Sequence, residues 1–188
     1  MVAGLSELND EELIFKIQHE NASKYFKILY DRYYLKVLDK CYSFVKNKQV
    51  AGELAEDIFS KGFEKIATFK QLSSFSSWLY SITYNHCIDY LRDKKKLHYP
   101  SWNSDHELPE IVEEEEISEG VDYDELLILL EKIHPEEKAL ILMKYKDDLS
   151  MKQIGAALRI SEDAAKMRLK RAKARVLYLY TQKQQKQN

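Results

Sequence analysis

Apolar residues recur at intervals of three and four along most of the chain, the spacing that puts side chains on one face of an α-helix. Asn9 with Glu12 three positions later forms a capping box ahead of Leu13, Ile14 and Ile17, which predicts a short first helix. A longer helix follows Asn21 and runs to about Lys46. It turns Phe26, Leu29, Tyr30, Tyr33, Val37, Cys41 and Val45 inward, with Lys24, Lys27, Arg32, Lys36 and Lys40 between them. The aromatic stripe is continuous and no polar cluster interrupts it, so it reads as core and not as a cofactor box. A third helix over about 50–68 buries Leu54, Ile58, Phe59, Phe63 and Ile66 and exposes Glu53, Glu56, Asp57, Lys61, Glu64 and Lys65. The polar loop FKQLSSFSSW comes next, with Ser73 or Ser74 as the cap of a fourth helix, FSSWLYSITYNHCIDYLRDKKK. That helix buries Phe75, Trp78, Leu79, Ile82 and one of Ile88 or Leu91.

The pattern lapses over 97–120, where LHYPSWNSDHELPEIVEEEEISEG has two prolines, many acids and no periodic apolar face, as an extended or unfolded linker would. It resumes over 122–132 with Leu126, Leu127, Leu129, Leu130 and then Ile133. Pro135 fits the first position of the next helix, with Glu136 and Glu137 in its first turn and Leu140, Ile141 and Met143 on its core face. Ser150 and Gln153 then cap a short helix containing Ile154, Ala157 and Leu158 that ends near Arg159. Ser161 caps the last helix only a few residues later, so the two must cross sharply, and Gly155 and Ala156 are small enough to allow it. In 161–180 Ala165, Leu169, Ala172 and Val176 share the packing face, and Asp163, Lys166, Met167, Lys170 and Arg171 lie nearly opposite. This is the sequence form of a helix-turn-helix, with an ordinary helical hairpin as the alternative. The tail QKQQKQN after Thr181 reads as frayed.

Charge changes the picture more than composition does. Residues 1–100 carry 15 Lys and Arg against 13 Asp and Glu, residues 101–125 carry 11 acids and no Lys or Arg, and residues 126–188 carry 14 against 7. The overall charge of −2 therefore conceals an acidic connector between two more basic pieces, and it does not exclude nucleic acid. The segmentation expected is 1–97, a linker over 98–121, and 122–188. Five glycines, three prolines and the helical periodicity predict an all-α fold of two small helical domains. Cys41 and Cys87 lie far apart without zinc spacing and read as reduced core thiols. No stretch approaches a membrane span, and the N-terminus lacks the apolar run of a signal peptide, so a cytoplasmic protein is expected. Glu113 to Glu116 have no scaffold to hold acid/base or metal-binding geometry. No catalytic group, metal or cofactor is expected.

The nucleic-acid chemistry sits in two places. On the last helix, Lys and Arg can reach guanine, Asp163 can accept from a cytosine amino group, and Met167 can touch a thymine methyl. On the fourth helix, Tyr80, Tyr84, Asn85, Asp89 and Tyr90 cannot all fit the buried side. Exposed aromatics beside Arg92 and Lys94 to Lys96 suit single-stranded nucleic acid, which needs flat faces for stacking and cations for phosphate. The alternative is that the tyrosines lie along the surface and the basic cluster only complements the helix C-terminus.

In order and spacing, FKILYDRY, AEDIFSKGFEKI, FSSWLYSITYNHCIDYLRDKKK and LSMKQIGAALRISEDAAKMRLKRAKARV resemble the sigma-70 family of bacterial RNA polymerase specificity subunits, in its small extracytoplasmic-function form. The resemblance implies a polymerase-dependent transcription initiation factor with no catalysis of its own. It implies that AEDIFSKGFEKI grips the polymerase clamp through Glu56, Asp57, Phe59, Ser60, Lys61 and Phe63. It implies capture of single-stranded −10 bases by the loop 70–74 and the fourth helix, through Lys70, Ser73, Ser74, Trp78, Tyr84, Asn85, Asp89, Arg92, Lys94, Lys95 and Lys96. The duplex −35 element would fall to Ser161, Asp163, Lys166, Met167, Lys170 and Arg171, with Arg168 and Lys173 on phosphate or in an internal salt bridge. An anti-sigma partner covering these surfaces is implied as well, and the acidic linker would run through a basic channel of the polymerase. The chain departs from the family pattern at Ser60 and Lys61, where a Gln followed by an acid is usual, with Gly62 next. It departs again at Arg159, where glycine is common, and at Ala164 and Ala165, which replace a Thr-Val pair. The competing class is a stand-alone helix-turn-helix regulator with a helical dimerisation or effector domain. A helical enzyme such as a nuclease would need a carboxylate or His/Cys constellation that the chain lacks.

Overall fold

The computed structural model describes residues 8–20, 23–95 and 123–187, and every regular element among them is helical. The chain divides into two compact units, Met1–Lys94 and Lys95–Asn188. The connector expected over 98–121 and Lys96 lie outside the described residues.

The first unit contains α1 (Asp10–Glu20), α2 (Ser23–Val45), α3 (Lys48–Ile66) and α4 (Phe75–Lys95). The Asn9 capping box forms as expected: Glu12 N–H donates to Asn9 Oδ1 at 2.8 Å and Asn9 N–H to Glu12 Oε2 at 2.9 Å. Asp10 then accepts from Arg32 at 2.9 Å and from the Tyr33 hydroxyl, which staples the start of α1 to α2. A tight link carries Lys46 at φ 53°, and Asn47 caps α3 by accepting from Val50 N–H at 3.1 Å. The core is built from Leu13, Ile14, Leu29, Val37, Leu54, Ile58, Phe75, Leu79 and Ile88. Each such side chain contributes about 1.5–3 kcal/mol on burial. Cys41 and Cys87 are buried free thiols with their sulfurs 3.8 Å apart, as reduced core residues should be. Phe26, Tyr30, Tyr33, Val45, Trp78 and Ile82, expected inward, are only half-buried, and Phe63, also expected inward, is exposed.

The second unit contains α5 (Tyr123–Leu130), α6 (Pro135–Ile141), a π-helical turn (Leu142–Lys146), α7 (Met151–Leu158) and α8 (Glu162–Gln187). Leu129, Leu130, Leu140, Met143, Leu149, Ile154, Ala165, Ala172 and Val176 form its core. Leu127 and Ile128 stay 40% and 53% exposed, because on so short a helix only one edge can meet α8. The expected frayed tail is helical to Gln187, and Lys183 pairs with Glu125 of α5 at 2.7 Å. One turn of lysine chemistry thus holds an end that composition alone would release.

One feature of this unit went unread in the sequence, and a second is marked there. Glu136 and Glu137 satisfy the first-turn preference for acids, yet both side chains are buried, at 2% and 0% exposure. Their charges are met by α8: Arg168 donates to Glu136 at 3.0 Å and Arg175 to Glu137 at 3.3 Å. Glu137 also accepts from His134 N–H at 3.1 Å, which completes a capping box. Burial raises the Glu137 pKa above 4.5, with Arg175 and the His134 N–H opposing it. The second feature is the turn after α7, where Arg159 adopts the left-handed conformation at φ 57°, ψ 42°. Ile160 N–H donates to Gly155 O at 2.9 Å and closes the helix end. A Cβ on Gly155 would lie 2.9 Å from that same Ile160 carbonyl oxygen, so glycine is required there. Ala156 is exposed and plays no such part.

Three unfolding experiments follow from this packing. Arg159→Gly relieves a left-handed residue and should raise stability by about 1 kcal/mol, whereas Gly155→Ala should lower it by about 1–3 kcal/mol, both read from urea unfolding. Arg175→Ala strands a buried carboxylate and should cost about 3 kcal/mol at neutral pH. A raised folded-state pKa means the folded chain holds the Glu137 proton more tightly than the unfolded chain does. The Arg175→Ala deficit should therefore be largest at neutral pH and shrink as pH falls through the raised folded-state value, already on the alkaline side of 4.5.

Candidate nucleic-acid interface

The helix-turn-helix geometry presents α8 by its N-terminal half. Ser161 caps it, accepting from Ala164 N–H at 3.1 Å, so its own side chain is committed to the helix start. Asp163, Lys166, Met167 and Lys170 are exposed and fall on one stripe, while Ala165, Leu169 and Ala172 are buried beneath. Met167 keeps 52% of its surface. Lys166 bonds Glu162 at 2.9 Å and lies 3.7 Å from Asp163, and these acids raise its pKa. It is therefore charged at neutral pH. Arg171 and Lys173 are half-buried at the stripe's edges. Arg168 is taken up by Glu136, the internal salt bridge that was one of its two expected roles.

A second stripe runs along α4. Trp78, Ser81, Ile82, Asn85, Asp89 and Arg92 lie within about 100° of one another by helical phase and face away from the buried residues Leu79, Thr83, Cys87 and Leu91. Trp78 is held by Phe69 and Phe75, with ring centroids 4.8 and 5.6 Å away. Asp89 and Arg92 pair at 3.5 Å, and Lys94 is exposed near the helix end. The Lys95 side chain and Lys96 lie outside the described residues. Tyr84 is a correction: it has no exposed surface, and its hydroxyl accepts from Lys40 at 3.3 Å. Lys40 in turn lies over the Tyr80 and Tyr84 rings, at 4.2 and 5.3 Å from their centroids. The tyrosine ring lies behind α4, where it shields a buried cation from the core, and it cannot stack on a base.

The loop 70–74 stands beside this stripe. Ser74 is the cap, accepting from Ser77 N–H at 3.2 Å and bonding the hydroxyls of Ser76 and Ser77. Gln71 adopts φ 53°, and Leu72 is 89% exposed. Gln18 of α1 donates to the carbonyls of Ile66 and Phe69, at 2.8 and 3.0 Å, and so fixes where the loop departs from α3. Glu11 and Ile14 of α1 join Phe69, Gln71, Leu72, Ser73, Ser74 and Phe75 around a hollow of about 310 Å³. Lys70 is exposed at its approach. The contribution of α1 was not legible, because a single Gln and Glu on a short helix carry no periodic signal.

On α3 the exposed residues include Glu53, Glu56, Asp57, Ser60, Lys61, Phe63, Glu64 and Lys65. Glu56 accepts from the Tyr30 hydroxyl at 2.8 Å, and desolvation first, then that bond, raises the tyrosine pKa. Phe63 keeps 47% of its surface while its ring edge meets Phe26 at 4.9 Å. Phe59 is 3% exposed and packs against Tyr30 at 4.7 Å, the core position its spacing predicts and not the partner contact the resemblance implies. The two phenylalanines are four residues apart, and the far one overhangs the edge of α2. Among the described residues no three His, Cys, Asp or Glu side chains are placed to hold a metal, and no helix is long and apolar enough to cross a membrane.

Comparison with known proteins bears on both units. The family models for sigma-70 region 2 and sigma-70 region 4 match residues 29–97 and 123–176, together well over half of the chain. The chain is similar to the ECF RNA polymerase sigma factor SigW of Bacillus subtilis, 28% identical over 79% of this chain and 84% of that protein. It is also similar to the RNA polymerase sigma factor YlaC of the same organism, 25% identical over 77% and 86%. Among solved structures, CnrH in complex with the cytosolic domain of CnrY shares the fold with a TM-score of 0.62 at 18% identity, over 92% of this chain and 97% of that one. The sigma factor RpoE of Bartonella quintana, in complex with the anti-sigma factor NepR, does so with a TM-score of 0.57 at 17% identity, over 85% and 98%. With both regions matched in order on two helical units, the chain belongs to the sigma-70 family, as an extracytoplasmic-function RNA polymerase sigma factor that directs transcription initiation at promoters.

Proposed function

We propose that the two outward stripes divide promoter recognition between them. The observation that carries this is the sorting on α8, where the arginines at 168 and 175 are drawn inward by Glu136 and Glu137 while Asp163, Lys166, Met167 and Lys170 remain outward. This outward set has the donors, acceptor and apolar group needed at base edges in a duplex −35 major groove, each good contact discriminating by about 1–3 kcal/mol. Ser161 serves as cap, and Arg171 and Lys173 approach the flanking phosphates.

In the first unit, the hollow beside Lys70, Ser73 and Ser74 receives an unpaired −10 base. Trp78, Asn85, Asp89, Arg92 and Lys94 guide the strand along α4, and Lys95 and Lys96 continue its basic end. Tyr84 and Phe59 act from behind as supports. The clamp of core polymerase meets α3 through Glu56, Asp57, Ser60, Lys61 and Phe63. Unpairing is least costly at weak base steps, so an AT-containing −10 site suits this mechanism. The domain roles follow: 1–97 for polymerase and −10, 122–188 for −35, and 98–121 as the acidic connection. The protein works in the cytoplasm without catalysis of its own. The similar sigma factor RpoE, solved in complex with the anti-sigma factor NepR, supports an anti-sigma partner for this chain.

In vitro transcription with core polymerase on a promoter library tests the whole assignment. Start sites should appear only when the protein is added, while the protein alone should bind duplex weakly. Tight, specific duplex binding without polymerase would instead identify the stand-alone regulator. Lys170→Ala should cost about 1 kcal/mol at one −35 position and relax selectivity there. Lys94→Ala should weaken open-complex formation evenly across promoters and lower the salt slope by about 0.7–0.9. Equal loss of selectivity from both substitutions would contradict the division of labour.

A further inference from the structure

Lys61 stands on α3 where the resembled family pattern carries an acid, and its charge is received by α4. Its Nζ lies 2.8 Å from Nδ1 of His86. An ammonium only donates, so Nδ1 must supply the lone pair, and the single proton of the neutral ring sits on Nε2. That Nε2 is buried without a hydrogen-bond partner and lies 3.5 Å from Asp57 Oδ2. Asp57 and Lys61 are one helical turn apart on α3, so the imidazole bridges two opposite charges on one exposed stripe. Asp89 of α4 also acts on the ring.

Resting on the assignment of α3 to the polymerase, we infer that His86 is a positioning residue for that surface. Its neutral ring anchors Lys61 and leaves the Asp57 carboxylate turned outward. A proton on Nδ1 abolishes the bond from Lys61, repels its ammonium and draws Asp57 inward as an ion pair. Burial first, and then Lys61, hold the His86 pKa below 6.5, with Asp57 and Asp89 opposing. Because the folded-state pKa is lowered, the neutral arrangement is complete at neutral pH and is lost on the acid side of 6.5. The surface that α3 offers to polymerase thereby changes shape and gains a positive charge in acid. His86 lies one residue from Asn85 on α4, so the same ring ties the polymerase-facing helix to the helix carrying the −10 stripe.

Glutamine is the discriminating substitution, since its oxygen can accept from Lys61 and its amide can donate to Asp57 without titrating. Affinity for core polymerase is measured at pH 7.5 and 5.5 for wild type, His86→Gln and His86→Leu. Wild type should lose about 3–5-fold more affinity than His86→Gln between the two pH values. At pH 7.5 His86→Leu should bind about 3-fold more weakly, and His86→Gln should restore wild-type affinity. Ring nitrogen shifts of His86 in the free protein should report the Nε2–H tautomer and a midpoint below 6.5 that rises in Lys61→Met. Identical pH profiles for wild type and His86→Gln, or an Nδ1–H tautomer, would overturn the inference while leaving α3 as the polymerase surface. Failure of the wild type to bind core polymerase at either pH would defeat the surface assignment itself and the inference with it.

Discussion

Glu136 and Glu137 are two adjacent carboxylates buried at the start of α6, and a buried charge is tolerated only when paired and hydrogen-bonded. Arg168 and Arg175 meet them, two turns apart on α8, so the pairing fixes both the position and the rotation of that helix. The face that α8 turns outward depends on this rotation. With the two arginines inward, Asp163, Lys166, Met167 and Lys170 must face out. The close crossing at Gly155 and the left-handed Arg159 set the angle, and the ion pairs set the phase.

The first unit solves a similar problem with aromatic and amide chemistry. Its second helix supplies a buried cation, Lys40, which Tyr80 and Tyr84 accommodate through their ring faces and a hydroxyl. This leaves the opposite side of α4 free for the polar stripe from Trp78 to Arg92. The short α1 matters more than its size suggests. Gln18 holds the carbonyls where α3 gives way to the loop, and Glu11 and Ile14 wall the hollow beside it. Deleting α1 would therefore remove part of the wall of that hollow, and not merely a surface helix.

Several residues show where reading the chain one dimension at a time succeeds and where it stops. The capping boxes at Asn9 and Ser150 and the cap at Ser161 formed as their spacing demands, because partner and cap lie within three residues. Tyr84 was assigned to a base, and Phe59, core by its spacing, was assigned to polymerase by the family resemblance; the structure buries both. Each stands on a helix with more apolar and aromatic residues than one stripe can hold, so the choice among them is made by the neighbouring helix. The tail after Thr181 carries no apolar stripe, and its order comes from Glu125, 58 residues away.

Helix positions, caps, the all-α class and the sharp α7–α8 turn were determined by the sequence itself, since they rest on interactions within about one helical turn. Family membership was legible for the same reason: it is carried by the order and spacing of such local segments. Only the tertiary structure decided which face of each helix is spent on the core and which is left for a partner. That choice depends on pairs such as Arg168 with Glu136, 32 residues apart, Arg175 with Glu137, 38 apart, and Lys61 with His86, 25 apart. A side chain's charge is written in the chain, but whether that charge is neutralised internally or offered outward is set by what folding brings beside it.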